Sequence, residues 1–152
     1  MNKLRLPIFV LAGLLLIGCQ KEAVVPCQQT GFTDTPVCPV SFFQVLGGTT
    51  HYNGKIVRIE GFIRTIKVGE SPRTFLYFSE EQANIRNTFG AIEVGELANG
   101  IKPGRREAYQ KVLSTSQNTY VEIIGELAYS SSAGMDVAPA KIENLVGVRV
   151  AH

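Results

Sequence analysis

Val57-Arg58-Ile59-Glu60-Gly61-Phe62-Ile63 is the stretch on which the fold turns, because it recurs as Val121-Glu122-Ile123-Ile124-Gly125-Glu126-Leu127. Both follow V-x-I-x-G-x-(I/L). Side chains of a strand alternate between faces, so Val57, Ile59, Gly61 and Ile63 share one face, as do Val121, Ile123, Gly125 and Leu127. Arg58, Glu60, Glu122 and Glu126 then point the other way. A glycine inside such a strand marks a bulge, or a bend where another backbone comes close. Two strands that each bend at a glycine predict a small, strongly coiled sheet.

Outward from this pair, three further strands are expected. Thr74-Phe75-Leu76-Tyr77-Phe78 is aromatic and β-rich, Ala91-Ile92-Glu93-Val94 is short and alternating, and residues 141–150 (KIENLVGVRV) end on Val146, Val148 and Val150. Between the third and fourth strands, Pro103 suits a first helical turn. Ala108, Tyr109, Val112 and Leu113 make the i, i+1, i+4, i+5 stripe of a helix running to Ser116. A second helical piece is expected at residues 41–46. Ser79-Glu80-Glu81-Gln82 has the form of a capping box, which allows a single turn there.

The order is strand, strand, strand, helix, strand, strand. It resembles the OB-fold, a five-stranded barrel with its helix between strands three and four. Tyr52-Asn53-Gly54-Lys55, entering the first strand, is similar to the same point in small bacterial OB-like domains of unknown function. The expected class is therefore mainly β, with residues 40–152 as the OB-like domain; a small open sandwich is the other all-β reading. The resemblance implies that strands one and four are neighbours. It also implies that ligands meet the face of strands two and three, flanked by residues 67–73 (KVGESPR) and 130–139 (SSSAGMDVAP). The second loop is either a binding lid or a long hairpin connection.

On that face the expected ligand residues are Phe62, Phe75 and Tyr77, with Arg58 and Arg73 beside them. Either the aromatics stack on sugars or bases, or they form cross-strand pairs on a solvated face. Arg58, Arg64, Lys67 and Arg73 make a local positive patch, balanced by Glu60 and Glu70.

The first nineteen residues, MNKLRLPIFVLAGLLLIGC, have a different character. Lys3 and Arg5 precede twelve uncharged residues, fewer than the roughly 20 apolar residues a spanning helix requires. The length and flanks fit a secretory leader. Leu16-Ile17-Gly18-Cys19 resembles the lipobox of bacterial lipoproteins. That resemblance implies removal of residues 1–18 and lipidation of Cys19, with acyl chains such as palmitate anchoring the chain to a membrane. Gln20, rather than Asp, favours the outer membrane if the source is Gram-negative, with the protein facing the periplasm or the cell surface. Residues 19–39 are then a lipidated tether carrying a disulfide loop.

Removing the leader changes the arithmetic. The formal charge of +2 belongs to Lys3 and Arg5; without them the 15 basic residues become 13, equal to the 13 acidic ones. A balanced chain lacks the cationic groove that single-stranded nucleic acid needs, so nucleic acid is not an expected partner. Cys27 and Cys38, with ten residues between them outside the cytoplasm, are read as a disulfide. A metal site wants further Cys or His ligands, and only His51 and His152 exist in the chain. The spacing is not the C-x-x-C of a redox pair.

No G-x-S-x-G or paired-carboxylate motif stands out, so no catalytic residue and no cofactor is expected. Arg105-Arg106 falls in the first turn of the expected helix, where the dipole disfavours cations. The pair serves a surface contact or nothing. The function expected is a lipid-anchored, non-catalytic envelope module acting through protein or glycan contacts. The alternatives are an oligosaccharide or small ligand on the strand two–three face, and then extracytoplasmic single-stranded nucleic acid.

Overall fold

The computed structural model describes residues 25–31, 33–47, 50–130 and 138–151. The expected leader, Cys19 and most of the 130–139 loop lie outside the described residues. The elements are β1 (Gln28–Thr30), β2 (Thr33–Pro39), α1 (Phe42–Leu46), β3 (Ile56–Val68), β4 (Ser71–Tyr77), α2 (Glu80–Asn84), β5 (Ala91–Val94), α3 (Pro103–Thr115), β6 (Thr119–Tyr129) and β7 (Ala140–Val150). Short 3-10 turns occupy Thr50–Tyr52 and Thr88–Gly90.

The repeated glycine-centred strands are β3 and β6, and they pair antiparallel from Ile56↔Glu126 to Ile63↔Thr119. Their glycines interleave: Gly61 stands opposite Val121, and Gly125 opposite Val57. The thirteen residues of β3 serve two neighbours. Its first half holds β6, and from Phe62 onward it holds β4, down to Val68↔Ser71. β4 pairs antiparallel with β5, β5 parallel with β7, and β7 antiparallel with β6. The order β3-β4-β5-β7-β6 therefore returns to β3, and the sheet closes on itself. The neighbours expected for the first and fourth strands of the repeat are found.

Alternation fills the interior. Val57, Ile59 and Ile63 from β3, Leu76, Ile92, Val121, Ile123, Leu127 and Ile142 make the main buried cluster, joined by Phe42 and Val45 of α1 and by Tyr52. β7 departs from the expected alternation: its buried positions include Ile142, Leu145 and Val148, while Val150 is exposed. Asn144, at φ +45°, changes the phase of the strand, and the β6–β7 register shifts around Gly125. That is the bulge a glycine in mid-strand foretells.

Both short helices begin where hydroxyls can cap them. Ser41 Oγ accepts from the Gln44 N–H, and Gln44 Oε1 accepts from the Ser41 N–H, a complete capping box ahead of Phe42. Ser79 Oγ accepts from the Gln82 N–H at the start of α2. In α3 no residue is fully buried; Tyr109, Val112 and Leu113 are half-covered, and Ala108 is exposed.

Two strands go beyond the five expected. β1 and β2 form an antiparallel hairpin, and β2 lies parallel to β3 through Cys38↔Val57 and Pro39↔Arg58. Half of what reads as a tether is thus part of the sheet. A Cys27–Cys38 disulfide closes the hairpin, as expected. Because few residue pairs hold β2 to β3, the crosslink matters. Reduction is expected to lower unfolding stability by about 3 kcal/mol through restored chain entropy. Urea midpoints with and without reductant measure this; unchanged midpoints would show that the hairpin holds without its bridge.

Candidate functional site

The expected ligand face is not an open groove. Phe62, Phe75 and Tyr77 are 3%, 0% and 0% exposed, so the reading of them as outward stacking platforms is corrected. They do leave the interior, since Leu76 between the last two points inward. Instead of meeting solvent they build a second apolar cluster on the outer surface of the sheet, with Ala83 of α2, Ala91 and Ala138 as small partners and Ile66 and Val68 at its margin. The Phe75 and Tyr77 rings lie 6.3 Å apart, and Phe62 meets Tyr120 edge-on at 5.5 Å. Covering these rings removes their apolar area from water, worth about 25 cal/mol per Å². That gain explains why α2 folds back over the strands.

Arg64 fastens the cover. Its guanidinium donates to Ala83 O at 2.9 Å, Asn84 Oδ1 at 2.8 Å and Asn118 Oδ1 at 2.9 Å, joining α2 and the turn before β6 to β3. Charge-assisted bonds of this kind are the stronger ones. Read from sequence, Arg64 belongs to a positive patch; in the fold it is a clasp. Only a signal for the helix start, Ser79 to Gln82, hinted that something would lie over the aromatics.

Burial raises the pKa of the Tyr77 phenol above its ordinary value, while the nearby Arg64 and Arg86 charges pull it back in part. Its Oη has no hydrogen-bond partner among the described residues. A neutral phenol favoured by folding contributes stability that is complete below about pH 10 and is lost as pH rises through the folded-state value. Thermal melts of the native chain should therefore fall more steeply above that pH than those of Tyr77→Phe. At neutral pH this variant should be as stable as the parent or more so, since it deletes an unpaired buried hydroxyl. Parallel alkaline profiles would contradict this.

The arginines of the expected face separate. Arg73 sits on the same outer face as Phe75, two residues before it, and pairs with Glu93 at 3.6 Å. Arg58 is half-exposed on β3, between Pro39 of β2 and Ile124 of β6, away from the aromatic cluster. The expected loop at 67–73 is two strand ends joined by a tight turn, with Gly69 at φ +62°. Among the described residues no group of three or more His, Cys, Asp or Glu could hold a metal ion, and no helix is long and apolar enough to cross a membrane.

Open surface is found beside α3. Three shallow clefts follow its flanks. One of about 330 Å³ includes Ile101, Lys102, Arg105 and Val146, and one of about 300 Å³ includes Leu97, Arg106 and Gln110. A smaller one of about 140 Å³ runs between Tyr109 and the Arg149–Glu122 ion pair, whose Nε–Oε1 distance is 2.9 Å. Arg106 also donates to Ala98 O at 2.7 Å, which ties the start of α3 to the chain leaving β5.

No protein-family model matches the chain, and no curated protein matches it. Among solved structures, a protein described as an aspartyl-tRNA synthetase from Leishmania major is 10% identical with a TM-score of 0.49; the match covers 84% of this chain and 23% of that one. An OBody bound to hen egg-white lysozyme is 15% identical, TM-score 0.47, over 73% of this chain and 92% of that one. An Entamoeba histolytica asparaginyl-tRNA synthetase is 16% identical, TM-score 0.42, over 76% of this chain and 24% of that one. This chain spans about a quarter of either synthetase. Likenesses this distant assign no family.

Proposed function

We propose that the protein is a lipid-anchored, non-catalytic module of the bacterial envelope, an OB-like five-stranded barrel that works by surface contact with another protein. The barrel reading is supported by the closed strand order, by the parallel pairing of β5 with β7, and by α3 standing between the third and fourth strands of the ring. A disulfide in the first hairpin suits an oxidising compartment. Lipidation rests on the lipobox-like Leu16-Ile17-Gly18-Cys19.

The observation that carries the mode of action is the burial of Phe62, Phe75 and Tyr77. Sugar and base recognition on such a barrel uses exposed aromatic platforms, and here these rings are spent on internal packing. Arg73 and Arg149 are paired with Glu93 and Glu122, which weakens any cationic track for nucleic acid. The clefts along α3, lined by mixed apolar and charged side chains, suit a protein partner.

Two measurements test the reading. Metabolic labelling with an alkyne fatty acid should mark a mature chain that begins at Cys19, and Cys19→Ala should lose the label and stay unprocessed. Label persisting in that variant would refute the anchor. A photocrosslinking residue at Gln110 on α3 should give one discrete protein adduct in intact envelopes, while the same residue at Thr65 gives none. Binding of purified cell-wall fragments, with no adduct from Gln110, would return the function to glycan recognition.

A further inference from the structure

The large hydrophobic side chains that the described residues leave exposed on and around the barrel gather beside one row of the sheet and in the connection between β4 and β5. Sheet register places the row. Tyr77, Phe62 and Tyr120 form one row across β4, β3 and β6, continued by Ala91 beside Tyr77 and by the Ala151 N–H donating to Tyr120 O. Phe78 leaves β4 one residue past this row, and Phe43 packs against it with ring centroids 5.3 Å apart. The connection from Phe78 to Ala91 carries Ile85 and Phe89. Val150, paired with Val121, ends β7 one residue from the row. Phe43 and Ile85 are 66% and 65% exposed, and Phe78 and Phe89 are 53% and 54%. At the opposite end, the β3–β4 turn carries Lys67, Gly69, Glu70 and Ser71 instead.

The N-terminal chain approaches from the same end. Gln28 pairs with Val37 and Cys27 is bonded to Cys38, so the chain before Cys27 runs alongside β2 in the direction of Val40. Val40 leads through Ser41 into Phe42 and Phe43, and Val25 is itself among the exposed apolar residues. Five residues separate it from Cys19. At 3.3–3.6 Å per residue, that connection reaches at most about 22 Å.

We propose that this apolar end is a bilayer-docking surface, which holds the domain with Phe43, Phe78, Ile85 and Phe89 against the lipid interface and with the β3–β4 turn pointing away. The proposal rests on the anchoring of Cys19 proposed above. A lipid within about 22 Å of Val25, where the chain enters from this end, brings that end to the membrane more often than any other surface. Aromatic and aliphatic side chains are the groups that settle at the headgroup–acyl boundary. An isolated apolar surface in water would instead invite self-association.

The chain contains no tryptophan, so single substitutions report position without background. Phe43→Trp and Ile85→Trp probe the apolar end, and Lys67→Trp the opposite end. Cys27 and Cys38 are bonded to each other, so Cys19 is the thiol left for coupling to a maleimide lipid. The full-length chain coupled in this way to phosphatidylcholine vesicles is tethered whether or not cells lipidate it. A failure of natural lipidation is thereby read separately, from the labelling experiment.

An interface-seated face lies about 5–10 Å into the headgroup boundary, so lipids brominated on the acyl chain should remove roughly half the emission at positions 43 and 85 and shift it to the blue. Lys67→Trp should stay unquenched and red. Equal quenching at the two ends, or none at either, overturns the proposal. So does a blue shift that depends on protein concentration and not on vesicles, which would give the surface to a second copy of the chain.

Discussion

Phe75→Ala is expected to destabilise the protein by about 3–5 kcal/mol, the range for removing a fully buried phenylalanine. Phe75 is 0% exposed, and its neighbours in the outer cluster include Ala83 and Ala91, whose methyl groups are too short to fill the space it would vacate. The loss therefore combines the transfer of the ring with a persistent cavity. A residue that merely presented its ring to a ligand would behave differently, since substitutions at exposed sites usually stay within about 0.5 kcal/mol. Urea unfolding of Phe75→Ala beside Phe43→Ala makes the comparison inside one protein. The expected result is a large shift for the first and a small one for the second. Equal, small shifts would mean that α2 does not cover the aromatics in solution, and would reopen the face as a ligand site.

A single methyl group added at Gly61 has the second large effect. A Cβ there would lie 2.7 Å from Leu76 Cγ, from Phe42 Cε2 and from Tyr77 O. The Phe42 ring can shift, but Tyr77 O belongs to a strand paired on both sides and cannot. Gly61→Ala should cost about 3 kcal/mol, the upper part of the overpacking range. Gly125→Ala is constrained in the same way, with Ile142 Cγ2 at 2.6 Å and Glu143 O at 2.8 Å. Gly147→Ala is the control: the nearest atoms are Ile124 side-chain atoms at 3.2–3.4 Å, and a side chain can give way. Thermal and urea melts of the three variants should rank Gly61 and Gly125 well above Gly147. Similar, slight losses at all three would show that the two strand glycines are tolerated rather than required.

Those glycines are legible in the sequence, because their meaning is local. A residue without a side chain in the middle of an alternating strand signals close approach, whichever neighbour does the approaching. The order of elements, the helix starts at Ser41 and Ser79, and the Cys27–Cys38 bridge are local in the same sense. Each depends on periodicity, on a cap within three residues, or on short spacing. The β1–β2 hairpin escaped because QQTGFTDTPV has no apolar alternation. Its strand pairing comes from the disulfide and from the free edge of β3 beside Val57 and Arg58.

The face of β4 was misread for a different reason. Alternation states correctly that Phe75 and Tyr77 point away from Leu76, and therefore out of the interior. It does not state whether outward means solvent. That depended on α2, five residues long, turning back to set Ala83 over the rings, and on Arg64 holding it there through bonds to residues 19, 20 and 54 positions away. The exposed hydrophobics tell the converse story. Phe43, Phe78, Ile85 and Phe89 are scattered through the chain with no common motif, and only the tertiary fold brings Phe43 onto Phe78 beside the connection that carries the other two.

By itself, then, the sequence determined the order of the five ring strands, the two bending points, the disulfide and the balanced charge of residues 19–152, all consequences of neighbours along the chain. The tertiary structure alone decided which outward residues are covered and which remain in water. Burial is a property of what another segment brings to the same place, and that is settled by distant segments competing to remove apolar area from solvent.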